Sequence, residues 1–452
     1  MYTRIIGIDL AVTARHQAVV LDPATGKFLS RPWKFRTTPQ ALDRLLRRAR
    51  RGLAEPVHLV AVLEATGMAW YPVGAYLHDH GVTVYRVNGR KTRALRQVYA
   101  HHAGSDRIDA RVLAHLYQVA AQKLVPWVPP TGDQLALQRA CRAFGRWRQR
   151  KTALQNRLES YDQWAWGALA PWMPATARAW MRTHWYDPWA VQDAGVGALT
   201  TAWQTASPEQ PADVAWIPRW VKRAQELTTL YGTPERVGYP ALQASIQRAL
   251  RLLQQCREVQ AELRALIQPL YGRLYPARWL ETLYGIGADS AAIYQAFIQD
   301  IQRFPTVAQF RSWTGMVPFS KQSGYAEAQG LRLTQAGPNL IKATLYLNAD
   351  VARQWDVQFA ALYYRQMVDY GKHHTAAVCA CASHLASRIY AVLKQQRPYE
   401  LRALNGQPIS VAASRQLCRT KYRVPEKIRR QRRVRERRQA ANQRTERRFQ
   451  PQ

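Results

Sequence analysis

The chain has 452 residues, of which 47% are hydrophobic and 21% are charged, enough apolar material for several folded domains and too much for a disordered chain. Lysine and arginine number 65 against 30 aspartates and glutamates, so the net charge is +35. A protein this basic is expected to bind a polyanion, and the lack of an apolar run of 18 residues or of a secretory leader favours nucleic acid over a membrane.

The first 125 residues alternate short apolar runs with amphipathic stretches, a pattern typical of a mixed α/β sheet. The apolar runs predict strands at 5–10, 16–21, 27–35, 57–63 and 82–87. The amphipathic stretches predict helices over 40–51, around 73–77 and over 106–121. A basic cluster, Arg90, Lys91 and Arg93, follows the last of these strands and is a candidate nucleic-acid contact.

From about residue 126 the chain becomes helical and rich in arginine. Between Leu242 and Leu270 apolar residues recur at alternating spacings of four and three, with Gln260 as the one polar position, which predicts a coiled-coil seam. A second apolar stripe, from Leu137 to Leu158, is a candidate antiparallel or intersubunit partner. A buried core helix would show the same stripe, so both interpretations stay open.

Nine of the chain's 16 tryptophans lie between Trp164 and Trp220. One interpretation is an aromatic core or interface. The alternative is a platform on which exposed bases of a nucleic acid stack.

A third helical unit follows from Tyr275 to about Glu400. It opens with Gly285 and Gly287, a Gly-x-Gly turn between apolar helices that would direct backbone N–H groups at a phosphate, as in helix-hairpin-helix modules. The segment from Arg415 to Gln452 holds 15 cations and 3 acids and is expected to be a disordered basic extension that binds nucleic acid. The predicted architecture is therefore multidomain, α/β followed by all-α. Its predicted divisions are 1–125, 126–274, 275–405 and 406–452.

Four acids in the first domain stand out by their placement. Asp9 ends the first predicted strand and Glu64 ends the fourth, so the two would project side by side if these strands are neighbours. Asp106 and Asp109 are three residues apart and share one face of a helix that would bring them opposite. Phosphodiester chemistry uses such a cluster, because two Mg²⁺ or Mn²⁺ ions about 4 Å apart bind hard oxygen ligands. In a chain this basic, clustered acids are costly unless cations neutralise them.

These segments resemble the DEDD transposases of the "IS-one-ten" family of bacterial insertion sequences. The matching stretches are Gly7-Ile8-Asp9, Leu63 to Gly67, Val87-Asn88 with the basic cluster after it, and Ser105 to Arg111. The resemblance resumes at Leu283 to Gly287 and continues from Phe310 to Tyr399, whereas the middle matches only in being helical. It implies an RNase-H-like, RuvC-type nuclease domain, with Asp9, Glu64, Asp106 and Asp109 as catalytic metal ligands.

The family joins DNA through a serine in its C-terminal domain, in a turn that typically reads Ser-Ser-Gly-Gly after Gly-x-x-Pro. Here the corresponding stretch runs from Gly315 through Pro318 to Tyr325. Ser323, directly before Gly324, is the predicted nucleophile, and Ser320 is the alternative. Three cations near in sequence are predicted to contact phosphate oxygens: Lys321, Arg332 and Lys342.

The resemblance further implies a recombinase guided by a structured non-coding RNA that pairs with donor and target DNA. It implies dimers or tetramers in which the acids of one subunit complete the serine site of another. The expected location is the bacterial cytoplasm, at the nucleoid, and the five cysteines, too few and too irregular for a disulfide framework, agree with a reducing compartment. Two other classes stay open: a RuvC-like nuclease or junction resolvase that hydrolyses with water, and a non-catalytic RNA- or DNA-binding protein.

Overall fold

The computed structural model describes residues 2–53, 56–65, 67–87, 89, 95, 106–169, 171–207, 209, 213–318, 322–323, 326–327, 333–334 and 337–432. Of residues 106, 107, 123, 322, 323, 326 and 327 it describes the backbone alone. The chain divides into two compact units, residues 1–131 and 132–452. The finer division into four domains stays a prediction.

The first unit is built on a five-stranded mixed sheet. Its strands are β1 (Tyr2–Asp9), β2 (His16–Leu21), β3 (Trp33–Phe35), β4 (Val57–Glu64) and β5 (Thr83–Val87), in the order β3-β2-β1-β4-β5. β1 is antiparallel to β2 and parallel to β4, and β5 is parallel to β4. The predicted α/β class is confirmed, and β1 and β4 are neighbours, which is the condition under which Asp9 and Glu64 were expected to project side by side.

Three helices of the described residues cover the sheet: α1 (Pro39–Arg50), α2 (Trp70–Asp79) and α3 (Asp106–Ala120). Alternation along the strands sends Ile6 and Ile8 to the face covered by α1 and α2, and Ile5 to the face covered by α3. α1 begins where the Thr38 hydroxyl accepts a hydrogen bond from the Ala41 amide at 3.3 Å. The sheet is thus buried on both faces, which explains its nearly continuous apolar strands.

The third strand is shorter than predicted. We expected it over 27–35, but regular pairing with β2 covers only Trp33 to Phe35, and Phe28 forms an isolated bridge with Leu21. Gly26, with φ +68°, makes the turn after β2. Pro32 interrupts the predicted strand over 27–35, because proline has no N–H to donate to the neighbouring strand.

The second unit is almost entirely helical in its described part. Its helices are α4 (Gly132–Ala165), α5 (Ala175–His184), α6 (Pro188–Ala206, interrupted at Gly195), α7 (Ile217–Tyr231), α8 (Tyr239–Leu274), α9 (Ala288–Ile298), α10 (Val307–Thr314), α11 (Asn339–Ala352), α12 (Val357–Met367), α13 (His374–Gln395) and α14 (Val411–Arg419). Short 3₁₀ turns occupy Ala121–Lys123 in the first unit and Pro234–Arg236, Trp279–Thr282 and Ile301–Arg303 in the second. A small hairpin of β6 (Gln322–Ser323) and β7 (Ala326–Glu327) lies between α10 and α11.

The heptad stripe lies on α8 and packs against α4 of the same chain. Arg273 near the end of α8 pairs with Asp133 at the start of α4 at 3.0 Å, while Leu158 near the end of α4 shares a cluster with Ile246 at the start of α8. The two helices are therefore antiparallel. Of the two partners considered from the sequence, the structure shows the antiparallel one. α4 of the same chain covers the apolar seam of α8. Coiled-coil packing in the strict sense stays a prediction.

The tryptophan-rich segment forms an aromatic core. Trp166, Trp203 and Trp220 are each at most 1% exposed, and Trp180 contacts Trp203, Trp216 and Trp220 in edge-on geometry. These faces are occupied by one another, so they do not form a platform for bases. Trp164 differs, because it is 59% exposed.

α13 is long and apolar enough to cross a membrane by length and composition alone. In the structure Val378, Cys381, Leu385 and Ile389 of this helix are buried in the main core of the second unit. A helix buried in a protein core can have the same length and hydropathy, so α13 is weak evidence for a membrane span.

The first part of the basic C-terminal segment is folded. Ser414 on α14 is fully buried, where its hydroxyl donates to the Trp355 carbonyl at 2.7 Å and accepts from the Val357 amide at 3.0 Å. Val424 packs in the main core. The expected disordered extension therefore does not include this stretch, and residues 433–452 lie outside the described residues.

Candidate active site

Two of the predicted acids end neighbouring parallel strands. Asp9 is the last residue of β1 and Glu64 the last of β4, and the register pairs Ile8 with Leu63, the residues just before them. The carboxyl ends of parallel strands meet at one edge of a sheet. The fold thus brings two acids that are 55 positions apart in sequence to adjacent places, as the sequence predicts.

Both acids lie on the face of the sheet that α3 covers. Side chains alternate along a strand, so Asp9 shares a face with Ile5, and Glu64 shares a face with Val60 and Val62. These three apolar residues pack with α3 in one cluster. Asp9 and Glu64 are partly exposed at the end of this buried layer.

Helix α3 approaches β1 at Gly7. A Cβ atom built on Gly7 would lie 2.0 Å from the Ala110 carbonyl oxygen and 2.7 Å from the Ala114 nitrogen, so no other residue fits there without moving the helix. Asp109 directly precedes Ala110 and is partly exposed. Sequence analysis does not single out Gly7 for this role, although a glycine inside a buried strand is a signal of close backbone approach.

The direction of α3 follows from a second contact. Gln118, near the end of the helix, lies beside Gly26 in the turn after β2, with 3.8 Å between its amide nitrogen and the built Cβ atom. That turn is at the amino end of β1, because Leu21 of β2 pairs with Ile5. α3 therefore runs antiparallel to β1, and its first turn, with Asp106 and Asp109, points toward the edge that carries Asp9 and Glu64.

The Glu64 carboxylate has a close backbone neighbour. A Cβ atom on Gly89 would lie 2.4 Å from Glu64 Oε1 and 3.2 Å from its carboxyl carbon. The glycine therefore leaves the space that the carboxylate occupies. Sequence analysis misses Gly89, because no local pattern announces a contact between residues 25 positions apart.

The donor set suits a divalent cation. Carboxylate oxygens are the hard ligands that Mg²⁺ and Mn²⁺ prefer, and three of the four acids come from two strand ends and one helix on the same face. Among the described side chains, no three acidic, histidine or cysteine groups lie close enough to hold an ion. The Asp106 side chain lies outside the described residues, so the four-acid site stays a prediction.

The predicted nucleophile lies in the second unit, in the β6–β7 hairpin. The backbone of Ser323 pairs with that of Ala326. Beyond the strands, Pro318 bridges to Leu333 and the Thr334 amide donates to the Val317 carbonyl at 3.0 Å. The Ser323 side chain and all of Ser320 lie outside the described residues.

The base of this hairpin is anchored by a glycine. Gly337 has φ +74°, and a Cβ atom there would lie 2.1 Å from the Trp313 carbonyl oxygen on α10. Only glycine combines this backbone conformation with so close an approach. The position before Pro338 therefore fixes how the chain leaves the hairpin and enters α11.

The predicted nucleic-acid contacts have mixed outcomes. Gly285 has φ +89°, and a Cβ atom there would lie 2.5 Å from the Asn348 carbonyl oxygen, whereas Gly287 is open before α9. Close packing on α11 thus accounts for Gly285, and phosphate binding by the turn stays a prediction. Lys342 is half-buried on α11. The remaining five predicted residues lie outside the described residues: Arg90, Lys91, Arg93, Lys321 and Arg332.

Comparisons with known proteins match both ends of the chain. The transposase family model DEDD_Tnp_IS110 matches residues 6–161, and the model for the Transposase IS116/IS110/IS902 family matches residues 277–365. A relative from Streptomyces coelicolor, the "Insertion element IS110 uncharacterized 43.6 kDa protein", is 26% identical over 413 residues. That match spans 88% of this chain and 95% of the relative. The first model includes all four acids and the second includes Ser323.

Proposed function

The chain belongs to the IS110 family of insertion-element transposases, and from this premise we propose that it cuts and rejoins DNA through four metal-binding acids and a serine. Its role as a DNA transposase follows from the family. One observation supports the acid part of the proposal most directly: Asp9 and Glu64 end adjacent parallel strands on the face where α3 directs the turn of Asp106 and Asp109.

Asp9, Glu64, Asp106 and Asp109 would hold one or two Mg²⁺ or Mn²⁺ ions. Bound there, the ions would polarise the scissile phosphate and neutralise charge on the attacking and leaving oxygens. Gly89 keeps room for the Glu64 carboxylate, and Gly7 lets α3 lie directly on β1. Both glycines support the proposal, because each leaves room for a close contact beside one of the acid-bearing segments.

Ser323 would supply the nucleophile. Its hydroxyl oxygen attacks the phosphorus atom, a serine–phosphate bond forms, and the bond from phosphorus to a sugar oxygen breaks. The serine proton is transferred, in net terms, to that sugar oxygen, which leaves as a hydroxyl. A hydroxyl of the partner DNA strand then reverses the exchange, so the strands rejoin without ATP. Lys321, Arg332 and Lys342 would contact the phosphate oxygens.

Target choice would be delegated to a structured RNA from the same element. A guide that pairs with donor and target DNA leaves the protein to bind backbone and shape, which fits a large and dispersed positive charge. Assembly as a dimer or tetramer, with acids and serine from different subunits, belongs to the same proposal, as does a location at the bacterial nucleoid. The notion that the α8 heptads pair subunits is less favoured than it was from the sequence, since α4 of the same chain packs on the α8 seam.

The central test uses four variants on DNA that carries the ends of the element. Ser323→Ala is expected to abolish the covalent protein–DNA adduct seen on denaturing gels, and Ser320→Ala is the matched control that keeps it. Asp9→Asn and Asp109→Asn are expected to abolish strand cleavage while DNA affinity is retained, because they remove metal ligands and no phosphate contact.

Each alternative predicts a different result. Cleavage that survives Ser323→Ala without any adduct would favour a nuclease or resolvase that uses water. Loss of the adduct in Ser320→Ala alone would move the nucleophile to Ser320. Cleavage that is indifferent to both aspartate variants would contradict the acid site, and an inability of the native chain to cleave would leave a binding protein.

A further inference from the structure

A basic cleft of about 710 Å³ lies between α1 and the edge strand β3 of the first unit. Seven of the eleven residues around it are arginine or lysine, and none is acidic. We refer to this feature as the α1 cleft. None of its residues belongs to the predicted active site.

Helix α1 supplies the largest share of the charge. Arg44, Arg47 and Arg48 share one side of the helix, and Arg51 follows directly after its last residue; all four are exposed. The opposite side packs its leucines into the core. The helix dipole favours cations in the last turn and accounts for part of this pattern. It does not explain why cations from other elements meet at the same place.

Those other cations come from two separate segments. Arg15 lies in the connection between β1 and β2, and Lys34 and Arg36 lie on and just after β3. Asp43, the acid on α1, has another partner: it accepts a hydrogen bond from the Tyr76 hydroxyl at 2.7 Å. In the described part of the chain, no carboxylate lies within ion-pair distance of the seven cations. Such a concentration of like charge favours a bound polyanion.

The chemistry of the lining indicates which part of a polyanion it binds. Arginine guanidinium groups hydrogen-bond phosphate oxygens in pairs, and Arg48 is held over the Trp33 ring, 4.7 Å from its centre. The lining has no asparagine, glutamine, aspartate or glutamate, the side chains that read adenine or cytosine edges. This composition suits recognition of a sugar-phosphate backbone.

The position of the cleft separates it from the acids. α1 packs on the sheet face of Ile6 and Ile8, whereas Asp9 and Glu64 lie on the opposite face, under α3. A strand bound in the cleft is therefore not the strand at the acids. We propose that the α1 cleft is a second nucleic-acid site, which holds the phosphate backbone of a segment that is not cut. This inference rests on the proposed nucleic-acid function but not on its chemistry.

The test is the salt dependence of binding by the full chain. Arg44→Gln/Arg47→Gln/Arg51→Gln removes three exposed cations and spares Arg48, which packs on Trp33. The matched control, Arg248→Gln/Arg251→Gln/Arg257→Gln, removes the same charge from exposed positions of α8. Fluorescence anisotropy against KCl concentration is measured with two probes, a duplex of the element's end and a transcript of its flanking non-coding DNA.

For at least one probe, we expect the slope of log affinity against log salt to become shallower by about 2 to 3 in the α1 triple variant. The reason is that each lost phosphate contact removes about 0.9 from the slope measured with a duplex. The control should change it by less. A shallower slope with the transcript alone would assign the cleft to RNA, and a shallower slope with the duplex alone would assign it to DNA. Either result supports the proposal. Unchanged slopes in a folded variant, or equal changes in the control, would overturn it.

A failure of the proposed function gives a different signature. Asp9→Asn is expected to bind both probes with the native slope, because Asp9 lies on the other face of the sheet. If Asp9→Asn still cuts DNA, the proposed chemistry is wrong while the slope measurement remains valid. Circular dichroism and thermal unfolding of every variant establish that each is folded.

Discussion

At the scale of single residues, Gly89 is the position whose replacement tests the active-site geometry most cleanly. Gly89→Ala places a methyl group 2.4 Å from Glu64 Oε1, so the carboxylate has to move. We expect the apparent affinity for Mn²⁺ to fall about 10- to 100-fold, the usual effect of disturbing the neighbours of a metal ligand. It is measured as the Mn²⁺ concentration that supports half-maximal cleavage and as the thermal stabilisation by Mn²⁺.

A second glycine serves as the control for that experiment. Gly132 has no atom within 4 Å of a built Cβ, so Gly132→Ala changes the same chemical group without a clash. If Gly89→Ala binds Mn²⁺ as the native chain does, Glu64 is not a ligand whose position matters. An equal loss in Gly132→Ala would point to a general effect of the substitution.

At the scale of elements, the sequence predicts well those strands and helices that a local pattern of apolar residues determines. The apolar runs of β1, β2 and β4 end within three residues of their predicted limits, and period-two alternation alone sends Asp9 and Glu64 to a common face. The acids could be grouped in advance because strand ends and helix spacing are local properties. The shortening of β3 also has a local cause, Pro32. Our prediction gave the apolar pattern more weight than this proline.

Other features depend on contacts that no local pattern encodes. The stripe on α8 looks the same whether α4, another subunit or a core covers it, so only the fold identifies α4. The close approaches of Gly7 and Gly89 join distant segments, and a glycine in the sequence does not reveal what lies beside it. The seven cations of the α1 cleft come from three separate segments, and the sequence shows only that each segment is basic.

The α4–α8 hairpin carries a prediction of its own. Gln260 is the polar position of the seam, 4% exposed, and its amide nitrogen has no hydrogen-bond acceptor among the described residues. A buried amide without a partner costs about 1 to 3 kcal/mol, so Gln260→Leu should stabilise the second unit by about 1 kcal/mol or more. Hydrogen exchange of α8 amides and the unfolding temperature of the second unit measure this effect.

The same variant tests where the seam finds its partner. Because α4 covers the seam, Gln260→Leu should leave the mass measured by light scattering unchanged. Gln254→Leu, at an exposed position on the same helix, controls for added hydrophobicity. A larger assembly in the Gln260 variant but not in its control would show that the seam also joins subunits.

At the scale of the whole molecule, the charge of +35 is dispersed over both units and the tail. Residues 433–452 hold seven arginines and two glutamates, a net charge of +5. Residues just before them belong to the fold: Cys418 and Val424 are buried, and the Arg432 guanidinium lies 3.0 Å from the Cβ built on Gly371. A deletion that begins after residue 432 and one that begins before it should therefore differ in their effect on the stability of the fold.

Deletion of 433–452 is expected to leave the unfolding temperature unchanged and to flatten the salt dependence of nucleic-acid binding by up to about 4, because as many as five counterions are no longer released. Deletion of 415–452 removes Cys418 and Val424 from packed clusters and should lower the unfolding temperature as well. If the shorter deletion leaves the slope unchanged, the last twenty residues make no phosphate contact. The positive charge of the folded units, with the α1 cleft among its densest parts, would then account for binding.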